Sequence, residues 1–252
     1  MKFYPIFFLL VFLSSTVWGQ DNSKREYLPF GIGVSFYQSK DDYQSPLRYR
    51  GFVPQMHLGQ EGWNAEKMDR ARAIYKFGKV NNHAKYPGSM NLNQFTYRQQ
   101  FVYQVASDQQ VNVFLGATLK INFAGRTANR SQQFDAQATL ALTGACTFKN
   151  NPGDRWFYEG NVSLPLIGWS MRPRFASSNY ILPEKEYKGP ANYFIGFPKY
   201  FDFDINLMAY WQMETGNLLR FDYRWWFYDM KYGHRVRSME HGLNAGLMTR
   251  LK

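Results

Sequence analysis

The sequence predicts an all-β protein: a transmembrane, up-and-down antiparallel barrel of about ten strands, with eight and twelve as the neighbouring even counts. Three observations predict it. Aromatic residues make up 19% of the chain, yet its mean hydropathy is −0.48. A barrel reconciles the two, because each strand shows one residue to lipid and the next to a polar interior. Beyond the first twenty residues no window of about 20 is apolar enough for a spanning helix. Finally, long segments alternate apolar and polar with a period of two.

The elements follow in chain order. Lys2 precedes the apolar run 3–13, and Val17 and Gly19 stand where a leader would be cut. Residues 1–19 therefore read as a signal peptide, and 20–252 as one barrel domain. Strands are predicted over 29–38, 52–62, 69–78, 93–106, 110–124, 132–148, 156–170, 200–213, 218–228 and 236–251. Over 132–148, Phe134, Ala136, Ala138, Leu140, Leu142, Gly144, Cys146 and Phe148 share a face opposite Asp135, Gln137, Thr139 and Thr143. Over 64–78 a helix competes with the strand, since Asn64 could cap it and Gly78 end it.

Connections alternate in length. Trp63-Asn64-Ala65-Glu66, Ser107-Asp108-Gln109, Asn150-Asn151-Pro152-Gly153-Asp154 and Glu214-Thr215-Gly216 are short and turn-like. Longer stretches at 39–51, 79–92, 125–131 and 174–191 lie between them. Short turns on one side and longer loops on the other are expected of such barrels. An even strand count puts both termini on the turn side. Phe95, Phe123, Phe134, Phe203 and Phe227 then fall near the loop end, and Tyr103, Phe148, Trp156, Trp211 and Phe221 near the turn end. That is the spacing of two aromatic girdles around an aliphatic band.

The mature chain resembles the small outer-membrane β-barrels of Gram-negative bacteria, in loop style and composition those of the Bacteroidota kind. The resemblance covers nearly all of 27–252 and brings no catalytic motif with it. Many such barrels end in an aromatic residue; this chain ends Leu251-Lys252.

Ten strands make a narrow barrel whose interior is largely filled by side chains. The inward charged set includes Arg98, Lys120, Asp135, Glu159, Arg220, Asp222 and Arg224, which predicts a salt-bridged interior. The chain carries a net charge of +11. Arg126, Arg130, Arg172, Arg174, Lys185 and Lys188, with Lys40, Arg48, Arg50, Arg235 and Arg237, fall at the loops as candidate contacts to lipopolysaccharide phosphates. One cysteine, Cys146, excludes an intramolecular disulfide. No metal-ligand spacing, phosphate loop or cofactor motif is present, so no cofactor is expected.

Three functions remain at this level. The first is a non-enzymatic scaffold or accessory subunit of an outer-membrane assembly. Its expected partners are outer-membrane lipids, lipopolysaccharide and other outer-membrane proteins or lipoproteins, not nucleic acid. The second is a narrow pore. The third is a surface hydrolase: omptin proteases are ten-stranded barrels with Asp pairs and an Asp-His unit, which Asp202, Asp204 and His234 near Asp229 loosely resemble. No second Asp pair is evident, and no catalytic residue is assigned.

Overall fold

The computed structural model describes residues 25–41, 45–82, 88–128, 131–149, 154–173, 190–232 and 235–251. Every regular element among them is a strand: β1 (Arg25–Asp41), β2 (Ser45–Trp63), β3 (Lys67–Asn81), β4 (Ser89–Ser107), β5 (Val111–Ala128), β6 (Ser131–Lys149), β7 (Trp156–Pro173), β8 (Pro190–Gly196), β9 (Tyr200–Gln212), β10 (Leu218–Met230) and β11 (Val236–Arg250). The expected leader, residues 1–19, lies outside the described residues.

Neighbours in sequence pair antiparallel around a ring, and β1 meets β11 to close it, with Tyr27 opposite Arg250 and Asp41 opposite Val236. Closure removes the unpaired edges an open sheet would leave. It also brings the first and last described residues together at the turn end, where the Leu251 amide donates to the Glu26 carbonyl at 2.8 Å.

The barrel has ten strand positions and one extra strand. β8 pairs with the upper part of β7, from Pro173–Pro190 to Ile167–Gly196. β9 pairs with the lower part, from Ser163–Asp204 to Trp156–Trp211. Together β8 and β9 occupy one position, interrupted at 197–199. Within the predicted loop 174–191 and just after it, only β8 was not foreseen; seven residues bounded by Pro190 and Gly196 are too few for a readable alternation.

The competition over 64–78 is resolved as strand. Asn64, the expected helix cap, does accept hydrogen bonds from following amides, Glu66 at 2.9 Å and Lys67 at 2.7 Å. Those bonds close the β2–β3 turn instead, because β3 pairs with β4 along its whole length and with β2 from Met68 to Lys76 and again at Asn81. At the β9–β10 turn, Gly216 holds φ +81°, a conformation that only glycine adopts without strain.

Most strands run further toward the loop end than the alternation predicted. β1 reaches Asp41, β3 reaches Asn81, β5 reaches Ala128 and β10 reaches Met230. There the outward residues are polar, among them Lys40, Arg48, Arg50, Lys79 and Asn91, all exposed. Pairing continues where the apolar signal stops.

The two faces have opposite chemistry. Outward residues at mid-height are exposed aliphatics, such as Ile32 (64%), Leu207 (52%) and Leu140 (39%). Inward residues include Arg220, Glu61 and Glu240, each fully buried. This inversion of a soluble core is what a hydrocarbon solvent demands. Outward rings lie close across the strands: Phe95, Phe123 and Phe134 near the loop end at 6.3 and 6.1 Å, and near the turn end Trp156 with Trp211 of adjacent β9 at 6.5 Å and with Phe221 of β10 beyond it at 6.4 Å.

Candidate functional site

Two strands make room for the lumen's contents. The inward positions of β1 and β11 include Gly31, Gly33, Ser35, Gly242 and Gly246. A Cβ on Gly31 would lie 2.3 Å from the His57 ring, and one on Gly33 would lie 2.1 Å from Asn244 Oδ1. Gly31-Ile32-Gly33 is therefore the space into which long side chains from other strands reach.

Those side chains form three ion clusters. Nearest the turn end, Glu61 receives Arg220 at 2.7 Å, Arg72 at 2.7 Å and Arg70 at 3.2 Å. Arg70 also grips Glu159 with both guanidinium nitrogens, and Arg220 reaches Asp222 at 3.0 Å and His57. At mid-height, Arg224 at 2.7 Å and Arg98 share Asp204, while Lys76 bonds Glu240. Lys120 bonds both oxygens of Asp202, at 2.9 and 2.6 Å. Trp226 ties this layer together. Its Nε1 donates to Asp202 at 2.5 Å, and Lys120, Arg224 and Lys76 lie 4.8, 5.7 and 5.9 Å from its ring centre. Toward the loop end, Asp135 takes Arg126 at 2.6 Å and Arg172 at 3.1 Å, and Asp41 takes the same two at 3.4 and 2.9 Å.

Nine cations thus meet eight carboxylates among the described residues. Near-neutrality is what allows so many charges to stay desolvated, since an unpaired one would cost several kcal/mol.

Apolar layers cap the clusters. At the turn end Trp63 packs on Tyr27, Tyr210 and Phe157 at 5.2, 5.4 and 5.7 Å, and Phe157 stacks on Tyr210 at 4.6 Å. At the loop end Tyr37, Tyr49, Met90, Tyr200, Tyr228 and Met230 belong to one buried group. A depression of about 1040 Å³ is lined by Ile32, Leu207 and Leu243 of the outward face together with Gln55, Asp222 and Asn244 of the inward face.

The sequence-predicted residues fall as follows. Arg98, Lys120, Asp135, Glu159, Arg220, Asp222 and Arg224 all face the lumen and join the clusters above. Arg126 and Arg172, expected at lipid phosphates, point inward instead and are 5% exposed. For Arg126 the parity of Lys120 and Asn122 already places it inside once β5 is extended past 124. For Arg172 the parity misleads: a bulge skips Leu166 in the β6–β7 register, so Glu159 and Arg172 share a face despite their odd separation. Arg130, Arg174, Lys185, Lys188 and His234 lie outside the described residues. Asp202 and Asp204 are 6% and 3% exposed and held in ion pairs; Asp202 also accepts from Tyr200 at 2.9 Å, and Asp204 from Asn206 at 2.9 Å. Asp229 accepts from Arg235 at 2.9 and 2.6 Å. Asp202 and Asp204 are thus bound in the lumen wall, and Asp229 is bound at the rim.

Sequence reasoning missed Asp41, His57, Glu61, Arg70, Arg72 and Lys76 as lumen residues. The signal for Arg70, Arg72 and Lys76 was present, since they alternate with Ala71, Ala73, Tyr75 and Phe77.

No family model matches the chain, and no curated protein matches it in sequence. Solved structures do match. The outer membrane protease OmpT of Escherichia coli superposes with a TM-score of 0.64 at 8% identity, covering 94% of this chain and 100% of that one. The β domain of the Bordetella autotransporter BrkA gives 0.43 at 13% identity over 89% and 99%. Neisserial surface protein A gives 0.31 at 11% over 86% and 95%. The first likeness establishes the fold: a closed antiparallel barrel of the kind found in Gram-negative outer-membrane proteins.

Proposed function

We propose that this chain is an integral outer-membrane barrel, sealed along its axis, that serves as a scaffold or accessory subunit of an outer-membrane assembly. The observation that carries this reading is the filled lumen. Three ion clusters lie between an aromatic layer around Trp63 and an apolar layer around Tyr200 and Met230. A solute passing through would have to break charge pairs whose side chains are at most 15% exposed, and each broken pair leaves a desolvated charge.

The outer membrane is the location this architecture suits. Exposed aliphatics ring the outside, and the outward aromatics stand where girdles would meet the two interfaces. Lipopolysaccharide is the lipid partner we infer, through outward cations at the loop end rather than through Arg126 and Arg172. Arg237, Lys40 and Arg48 are consecutive partners across β11, β1 and β2, and Asp229 of β10 continues the row, 3.7 Å from Arg237. A phosphate beside this row would accept charge-assisted hydrogen bonds from its cations.

Planar-bilayer recording on the purified full chain tests the sealed lumen. The expected result is no step conductance; steady channel openings by the intact protein would overturn the reading in favour of a pore. Fractionation of the cell envelope, with the chain recovered in the outer-membrane fraction, checks the location.

A further inference from the structure

We propose that the outward wall of β3 and β4 is the contact face of a two-fold symmetric dimer of this chain; the proposal rests on the outer-membrane reading above. Around the rest of the barrel, the mid-height outward positions are aliphatic and exposed, as at Leu119, Leu140, Leu164, Leu207 and Leu243. The β3–β4 wall differs. Gln99 faces outward midway between Phe95 and Tyr103, about 13 Å of strand from each at ~3.3 Å per residue. Tyr97, on the same face, donates from its hydroxyl to Gln99 Oε1 at 2.6 Å. Gln60 sits in the same register row, opposite Ala71, which is in turn opposite Gln99.

Hydrocarbon offers no hydrogen-bond partner, so an amide placed there carries a desolvation cost. The Gln99 Nε2 group donates no hydrogen bond among the described residues. The polar pair on the opposite side, Tyr223 and His241, is closed on itself at 2.8 Å. Its His241 lies in the row of Phe36 and Trp225, nearer the loop end, and its Tyr223 in the row of Leu207 and Leu243. Gln99 therefore stands out by its unused donors rather than by depth.

Small residues lie beneath the polar groups of this wall: Ala71 beside Gln99 and Ala73 beside Tyr97, 4% and 3% exposed, with Ala117 beside Phe101. The amide and the hydroxyl are therefore what the wall presents to a neighbour, and hydrogen bonds would join the two walls.

Symmetry selects a second copy as the occupant. A two-fold axis in a membrane runs along the bilayer normal, so a residue near it meets its own copy. That works only for groups that both donate and accept. A Gln amide and a Tyr hydroxyl do so; a carboxylate or an ammonium would meet its like charge. The one carboxylate on this wall, Asp69, is withdrawn to 7% exposure. Around Gln99 the wall thus presents self-complementary groups, and the exposed Lys79 is set apart from them toward the loop end.

The test uses the full chain in native membranes, in a Cys146→Ser background, because Cys146 also faces outward. Gln99→Cys is compared with Leu207→Cys on the far side of the barrel under mild oxidation. The expected result is a covalent dimer at roughly ten times or more the Leu207→Cys yield. Equal yields, monomer alone, or an adduct with a different protein would each overturn the proposal. In detergent, Gln99→Leu should weaken the non-covalent dimer by about threefold to tenfold, given two symmetric hydrogen bonds of the strength typical within membranes. An unchanged dissociation constant, with the barrel folded by circular dichroism, would also overturn it. The bilayer recordings are read separately: a conducting dimer would refute only the sealed lumen, and a silent monomer only the dimer.

Discussion

The lumen and the outer wall are built from alternate residues of the same strands, yet they are held by different rules. In the lumen the charged side chains are held by one another, several of them by more than one partner. Glu61 alone faces Arg70, Arg72 and Arg220, contributed by β3 and β10. On the outer wall each aliphatic residue depends on the solvent it is given; Leu207, at 52% exposure, has little protein to rest on. The difference teaches that mutational cost should follow partnership inside and polarity outside.

Three substitutions sharpen or break that comparison. Glu61→Gln should have the largest effect, about 3–5 kcal/mol of destabilisation, because it leaves three guanidinium groups around a neutral amide. Reversible urea unfolding of the barrel in lipid vesicles measures it; a loss near zero would mean that lumen charges are not interdependent. Leu207→Lys should follow, at about 2–4 kcal/mol, the cost of a cation on the lipid face near the bilayer midplane. The same titration checks it, and a loss under ~0.5 kcal/mol would put that wall in water, against the expected range. Arg155→Gln should be smallest, under ~1 kcal/mol. Arg155 meets Glu214 at 2.9 Å at the turn end, with the two side chains 55% and 82% exposed, so water already screens the pair. If Arg155→Gln cost as much as Glu61→Gln, burial would not be what distinguishes the two regions.

Much of the fold is legible because alternation is local. A strand turns successive side chains to opposite faces whatever it pairs with, so β9 was expected over 200–213 and is found over Tyr200–Gln212. The same property identified the inward set from Arg98 to Arg224. It fails where one face ceases to be apolar, as at the loop ends of β1 and β3, and where a bulge reverses parity, as before Arg172. It cannot see β8, whose place depends on how far β7 rises above its neighbours. The candidate site was legible as a list of inward charges but not as a set of pairs. Arg220 and Glu61 are 159 residues apart, and Arg70 and Glu159 are 89.

By itself, then, the sequence determined a barrel with an oily exterior and a charged interior, because the period of two is written residue by residue. Only the tertiary structure decided which cation meets which carboxylate and that both ends of the lumen are capped. It also decided that Arg126 and Arg172 turn inward. The pairing depends on the stagger at which β1 closes on β11, a property of all the strands at once, while Arg126 and Arg172 turn inward because β5 pairs on past 124 and a bulge resets the face of β7.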